Sequence, residues 1–213
     1  MAIVHRCRLA SLCRGMFLSL VLTLALGSVA AAQDQTPREL PFTPDPGFCT
    51  VEPRTVDELT VLSARRVSGT PEVATPDAGT PVGEEADEET VGAVTGTVIE
   101  AIACLNGREV FRFLSLVPDD ALPAFTGGTP LSPEALADLA TITGTPFPED
   151  QWTTLIDVRN VRIEAGRVSA IVETSTAGQP GQFDLFYFTE EEGRYLIDGI
   201  VEDVAAPSGT PTP

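Results

Sequence analysis

The sequence predicts an α+β domain in which N-terminal helices pack on a curved antiparallel sheet of about four strands, giving a cone-like shape. Two patterns support this fold class. Apolar residues recur at steps of three and four over residues 91–105, and they then alternate in four runs over residues 152–203. Helical periods followed by strand periods are typical of α+β domains. A Pro- and Thr-rich N-terminal region is expected to be disordered.

The main predicted helix has one apolar face. Its members are Val91, Val94, Val98, Ile102 and Leu105. Acidic side chains in residues 84–89 lie at or before the helix start, where the helix dipole favours negative charge. Asn106 and Gly107 supply a C-terminal stop.

Three shorter helices are also predicted. Thr55 and Glu58 have the spacing of a capping box. A helix over residues 108–116 ends before the next proline. Ser132, followed by proline and glutamate, is expected to cap a helix that buries Leu136.

The strands are expected to form hairpins. A tight turn over residues 164–167 pairs Ile163 with Val168 and Arg159 with Val172. The face that carries Ile163 is then apolar except at its far end, and the opposite face is expected to be wet.

The last hairpin turns over residues 190–193. This turn pairs Phe188 with Tyr195 and sets Leu185 opposite Asp198 on the other face. Both faces are apolar, which indicates a central place in the sheet or a face that lines a cavity.

Residues 1–32 are predicted to be a secretory signal peptide. Three arginines precede an apolar run over residues 16–26, and three alanines at 30–32 offer a cleavage site. The run is shorter than the roughly 20 residues that a membrane span needs. We expect a secreted, extracytoplasmic bacterial protein with no membrane span after cleavage. The alternative is an uncleaved N-terminal anchor.

The charge balance excludes some partners. The chain has 13 arginines and no lysine against 31 carboxylates, a net charge of −18, and removal of the three leader arginines leaves −21. Such a chain repels nucleic acid and anionic lipid. The single histidine, His5, lies in the leader, which removes the usual hydrolase triads. No cofactor is expected.

Cys49 and Cys104 remain after cleavage, and in an oxidising compartment they are expected to form a disulfide. The alternative is two free or intermolecular thiols. Two cysteines without histidine do not make a metal site. The disulfide would hold the N-terminal segment against the helix that carries Cys104.

Four parts of the chain are expected. They are the leader 1–32, an extended and largely disordered segment with an acidic linker over 33–87, the folded domain over 88–203, and a disordered tail over 204–213. Within the second part, residues 49–66 are expected to dock through the disulfide.

The order of elements resembles a known superfamily. Helices that include ACLNGREVFRFLSLVPDD, followed by an antiparallel sheet that ends in GRYLIDGIVED, resemble the nuclear-transport-factor-2-like superfamily, and within it the SnoaL-like and ketosteroid-isomerase-like group. The resemblance covers about residues 88–203. It implies a cone around an apolar pocket and a homodimer through the sheet. The short strand pair after the second helix and a mature histidine are both missing, so a non-catalytic member is expected.

Asp198 and Tyr187 are the candidate catalytic residues. An aspartate on an apolar face is desolvated, which suits a general base. Tyr187 is expected on the same face, where it would donate a hydrogen bond to a developing oxyanion. The alternative is that Asp198 accepts hydrogen bonds from the backbone or from arginine at the rim of the sheet.

Three other features of the sequence are weaker candidates for a functional site. Asp119 and Asp120 are either a paired-carboxylate or cation site or, as we favour, a helix cap. Residues 84–89 lack the spacing of a calcium loop and are read as a solvated linker. Trp152 lines a pocket mouth or, more simply, belongs to the core.

Three functions follow from these patterns. The first is a non-catalytic exported domain that binds a small apolar ligand or a protein partner. The second is a cofactor-free isomerase, cyclase or hydrolase that uses Asp198 with Tyr187. The third is a structural module of the cell envelope.

Overall fold

A computed structural model describes residues 40–64, 80–126, 130–177, 179 and 181–206 of the chain. These residues form five α-helices packed on one antiparallel sheet, which confirms the predicted α+β class. The helices are α1 Val56–Ser63, α2 Glu88–Asn106, α3 Val110–Phe113, α4 Leu122–Phe125 and α5 Pro133–Ile142. The strands, in their order across the sheet, are β1 Glu84–Glu85, β2 Thr153–Glu164, β3 Arg167–Thr176, β4 Gln182–Glu191 and β5 Arg194–Val201.

The sheet has five strands in the described residues rather than about four. The additional strand is β1, which has two residues and pairs with β2 opposite Arg162 and Ile163. The predicted leader and the predicted disorder at 33–39 and 65–79 lie outside the described residues. None of the helices in the described ranges is long and apolar enough to cross a membrane.

Helix α2 begins and ends where its sequence signals predict. Asp87 caps it through a hydrogen bond of 2.8 Å from the Thr90 amide to the Asp87 carboxylate, and Gly107 follows its last residue. Val94 and Val98 are buried as predicted, but Leu105 is 45% exposed. The last turn faces the N-terminal segment instead of the sheet, so a different side of the helix is buried there.

Residues 40–54, which we call the strap, lie against α2 and the edge of the sheet. Phe42 and Leu155 exchange two backbone hydrogen bonds of 2.8 and 2.9 Å. The buried Asn106 side chain donates to the Pro44 carbonyl at 2.9 Å and also binds the backbone of Thr153. The strap therefore covers the side of α2 that the sheet leaves open.

Two further contacts join the strap to α2. The predicted disulfide between Cys49 and Cys104 is present, and both cysteines are buried. The carboxylate of Glu100, which is 8% exposed, accepts hydrogen bonds from the amides of Thr50 and Val51 and from the Thr50 hydroxyl. Its second oxygen lies 2.5 Å from a terminal nitrogen of Arg194 at the start of β5. One buried carboxylate thus connects three elements.

The shorter helices pack in a second cluster beside the strap. The predicted capping box of Thr55 and Glu58 is present at the start of α1, and Ser132 caps α5. The hydrogen bonds from Thr55 lower the pKa of Glu58. The helix predicted over 108–116 is divided into α3 and a 3-10 turn, Leu114–Leu116.

The predicted cap of α4 is wrong. No side chain caps this helix, and Asp119 instead pairs with Arg54 at 2.6 Å. Arg54 also donates to the carbonyls of Leu114 and Val117 at 2.9 and 2.6 Å. The aspartate is drawn to the guanidinium because the strap brings Arg54 to the end of the 3-10 turn.

The first hairpin keeps the predicted register only near its turn. Ile163 lies opposite Val168, as predicted, but the register shifts between Arg159 and Arg162, where Asn160 has a φ of 54°. Arg159 consequently lies opposite Ile171 and not Val172. A bulge inserts one extra residue in β2. Arg159, on the far side of the bulge from the turn, therefore lies on the face opposite to the predicted one.

The last hairpin turns one residue later than predicted, which shifts the pairing of its strands by two residues. Glu192 and Gly193 both have positive φ, 52° and 78°, as a tight two-residue turn requires. Phe188 therefore lies opposite Ile197 and not Tyr195, and a shift of two residues keeps Tyr187 and Phe188 on their predicted faces.

A second irregularity lies between Tyr187 and Phe188, and it changes the pairing beyond it. Leu185 lies opposite Val201 instead of Asp198, and Ile200 packs with the helices rather than on the other face.

The disulfide is expected to contribute about 4 kcal/mol to the free energy of unfolding, since it closes a loop across a sequence separation of 55 residues. Urea denaturation of the protein with Cys49→Ala and Cys104→Ala measures this contribution. A loss below about 1 kcal/mol would show that the disulfide restricts the unfolded chain much less than its loop length implies.

Replacement of Glu100 by Gln is expected to lower the free energy of unfolding by about 2 kcal/mol, because charge-assisted hydrogen bonds are lost in a buried place. The matched control is Glu89→Gln on the exposed first turn of the same helix, with an expected change within about 0.5 kcal/mol. Equal effects of the two changes in urea denaturation would contradict the role given to Glu100.

Candidate functional site

The two faces of the sheet differ in what covers them. The inner face packs against α2 through fully buried side chains such as Phe188 and Ile197. The outer face is the opposite side, where Ile171, Leu185 and Tyr187 form a separate buried cluster. Its other members are Arg159, Arg162, Arg167, Ser169, Glu173, Phe183 and Asp198. The sequence-predicted candidates therefore lie on the outer face, away from α2.

Asp198 lies in β5 at the register shift and forms an ion pair with Arg167. One carboxylate oxygen is 2.6 Å from Nε of Arg167, and the Asp198 side chain is 27% exposed. The Nε–H group has no acceptor in hydrogen-bond geometry, so this contact is an ion pair without a hydrogen bond. Asp198 thus contacts an arginine, as expected if this residue has a structural and not a catalytic role.

Tyr187 lies beneath the same arginine. The guanidinium carbon of Arg167 is 4.1 Å from the centre of the Tyr187 ring, a cation–π contact. Tyr187 is 8% exposed, and its hydroxyl has no hydrogen-bond partner in the part of the chain that the structure describes. Burial raises the pKa of Tyr187 above its ordinary value, and the Arg167 charge opposes this less strongly. The hydroxyl therefore stays protonated at neutral pH.

A second arginine repeats this arrangement. Arg159 lies 5.1 Å from the Phe183 ring centre, and its terminal nitrogen donates to Glu173 at 2.7 Å. Its Nε is buried without a hydrogen-bond partner. Sequence reasoning placed Arg159 on the apolar face, and the bulge at Asn160 moves it to the outer face.

Sequence analysis did not single out Arg167, although it contacts both Asp198 and Tyr187. Arg167 is at the start of β3, and only the sheet register brings it beside β5. The outer face was expected to be exposed to solvent, but Ser169 on this face is only 6% exposed. One signal in the sequence could have indicated that this face is covered. Arginines alternate with aromatic residues across the predicted strands.

The other sequence candidates serve local structure. Glu84 and Glu85 form β1. Trp152 donates from its indole nitrogen to the Phe147 carbonyl at 2.8 Å. Within the described ranges, no group of three or more His, Cys, Asp or Glu side chains is placed to hold a metal ion.

A cleft of about 170 Å³ lies at the edge of the sheet, beside the bulge of β2. Its lining includes Glu85, Val91, Val158, Asn160 and Arg162. Neither Asp198 nor Tyr187 contributes to it, so this cleft does not join the two candidates.

Tyr187 is expected to titrate above its ordinary value of 10.0. A pKa raised by folding means that the neutral hydroxyl favours the native state, so this contribution is complete below about pH 10 and is lost as the pH rises through the native pKa. The difference in tyrosinate absorbance between the protein and its Tyr187→Phe variant measures the midpoint. A midpoint at or below 10.0 would show that the hydroxyl is solvated.

Comparison with known proteins identifies no relative of this chain. No protein-family model, no curated protein and no solved structure matches this chain. The resemblance to the nuclear-transport-factor-2-like superfamily therefore stays a prediction, and the functional argument rests on the contacts of the outer face.

Proposed function

We propose that this chain is an exported, non-catalytic α+β domain that binds a protein partner through its outer face. The supporting observation is a set of three buried polar atoms without a hydrogen-bond partner among the described residues, the Tyr187 hydroxyl and the Nε atoms of Arg159 and Arg167. Each such group costs about 1–3 kcal/mol, and a partner that supplies acceptors removes that cost. Tyrosine and arginine are also the residues enriched at the centres of protein interfaces.

A binding role fits the outer face better than catalysis does. A general base must reach a substrate proton, but the Asp198 carboxylate contacts the guanidinium of Arg167 at 2.6 Å. Arg167 also covers the ring of Tyr187, the proposed oxyanion donor. The enzyme hypothesis would require Arg167 to leave both residues before a substrate reached them.

An apolar ligand inside the domain has less support than a protein partner outside it. Leu116, Leu155, Phe188 and Ile197 are 0% exposed at the junction of the inner face and α2. The third hypothesis, a structural module, does not explain why these three buried polar atoms lack hydrogen bonds. Membership of the nuclear-transport-factor-2-like superfamily, as a non-catalytic member, is part of this proposal.

The proposal predicts a partner that crosslinks to the outer side of the sheet. A photo-crosslinking amino acid is placed at Val201, which is 40% exposed beside Leu185 on β5, in the cells that naturally produce the protein. The matched control position is Leu105, which is 45% exposed on α2. One discrete crosslinked protein is expected from position 201 and none from position 105.

Variants link that product to the outer face. Arg159→Glu and Arg167→Glu are expected to abolish the crosslink from position 201, while the distant Arg108→Glu is expected to leave it unchanged. Circular dichroism must show that each variant is folded. The same product from both crosslinking positions, or a product that survives both outer-face reversals, would overturn the proposal.

A further inference from the structure

The edge of β2 that faces away from β3 is covered by other segments of the chain only at its two ends. At one end, Phe42 of the strap exchanges two backbone hydrogen bonds with Leu155. At the other end, β1 pairs with the strand, and the amide of Ala86 donates to the Val161 carbonyl at 3.1 Å. Between these contacts, no described segment pairs with residues 156–160 on this edge.

The backbone of Val158 points to this uncovered edge. In an antiparallel sheet, the N–H and C=O groups of successive residues point alternately to the two neighbouring strands. Because Leu155 bonds to the strap and not to β3, its β3 partner Thr174 points to β4, and so does Val172, two residues before it. Val172 lies opposite Val158, so the N–H and C=O groups of Val158 point away from β3.

The cleft of about 170 Å³ lies at the same place. Its apolar lining consists of Ala86, Val91, Val158 and Val161. The Val158 side chain packs with the core cluster of the inner face, and a residue paired with Val158 has its side chain on that same face. Such a side chain therefore enters the cleft towards Val91, and the cleft has room for one aliphatic side chain.

The neighbours of that paired residue point to the outer face, where two carboxylates are exposed. The side chains of Asp157 and Glu85 are 41% and 83% exposed, and they lie 3.8 and 3.9 Å from Arg159 and Arg162, respectively. The two arginine side chains are only 25% and 35% exposed, and Arg159 pairs more closely with Glu173 at 2.7 Å. The accessible charges beside the uncovered edge are thus negative, which favours basic side chains.

We infer that the uncovered edge of β2 binds an extended segment of another protein, in which an aliphatic residue lies between two basic residues. The aliphatic residue exchanges two backbone hydrogen bonds with Val158 and fills the cleft, while its basic neighbours approach Asp157 and Glu85. Addition of a strand to a free sheet edge is a common mode of peptide recognition. The chain covers both ends of this same edge with extended segments of its own, so extended backbone is the group that fits between them.

The strength of this binding is limited by the edge itself. One residue of β2 offers its backbone between two bulges, at the register shifts on either side of Val158. Two hydrogen bonds and two exposed charge pairs contribute only a few kcal/mol, so a short peptide is expected to bind in the millimolar range. The site does not depend on the partner proposed for the outer face.

Amide hydrogen exchange of the protein alone is the first test. The Val158 amide is expected to exchange at least about ten times faster than the amides of Leu155 and Arg159, which donate to the strap and to β3. Equal protection of Val158 would overturn the proposal. In that case the chain itself covers the edge or, if protection rises with protein concentration, a second copy does.

A peptide titration is the second test. The probe is acetyl-Lys-Val-Lys-Val-Lys-amide, added to the isotope-labelled protein. Saturable shifts of the Val158 and Asn160 amide resonances are expected, together with slower exchange of the Val158 amide. The matched control is acetyl-Glu-Val-Glu-Val-Glu-amide, which should bind about tenfold more weakly because its charges repel the exposed carboxylates.

Variants of the cleft complete the test. Val91→Phe fills the cleft and is expected to weaken binding of the lysine peptide by at least about tenfold. Val61→Phe, at a position that is 61% exposed on α1, is the matched control and should leave binding unchanged. If circular dichroism shows that Val91→Phe does not fold, Ala86→Leu narrows the cleft from its other side. Shifts that do not saturate, equal binding of the glutamate peptide, or full binding by the folded cleft variant would each overturn the proposal.

Discussion

The position of α2 depends on the buried carboxylate of Glu100. A buried charge is tolerated only when it is paired and hydrogen-bonded, and Glu100 meets this condition through the strap on one oxygen and Arg194 on the other. The disulfide one helical turn further on holds the same strap covalently. Together these contacts let α2 be buried on two sides, with the sheet on one and the strap on the other. A helix with one covered face would leave Ala101 and Ala103 exposed, yet both are buried.

This arrangement decides which face of the sheet is available. Since α2 fills the inner face with large side chains, a ligand would have to displace packed residues to enter there. The outer face is covered by arginine side chains, whose stems shield apolar surface while their charged ends stay at the surface. The guanidinium groups of Arg159 and Arg167 each lie over an aromatic ring and pair with Glu173 and Asp198, respectively. Such side chains move more easily than a packed core, which is why the outer face suits reversible binding.

The candidate site was predictable only in part. Alternation along β4 and β5 was enough to place Tyr187 and Asp198 on one face, because a shift of two residues in the pairing of the strands leaves these two side chains on their face. The partner of Asp198 was not predictable, because Arg167 reaches it across β4 through the register of three strands. Arg159 was placed on the wrong face, because nothing local in the sequence marks Asn160 as the site of a bulge.

By itself the sequence determined the features that depend on a few neighbouring residues. These are the caps of α1 and α5, the boundaries of α2, the turn of the first hairpin and the α+β class, since capping and periodicity act within one or two turns of chain. The pairing of Cys49 with Cys104 was also predictable, because these are the two cysteines of the sequence outside the predicted leader. The tertiary structure alone decided the side of α2 that the strap covers, the bulges that set the register, and the contacts of Arg159 and Arg167 on the outer face. These features join residues that are distant in the chain, and their geometry arises only when whole elements pack together.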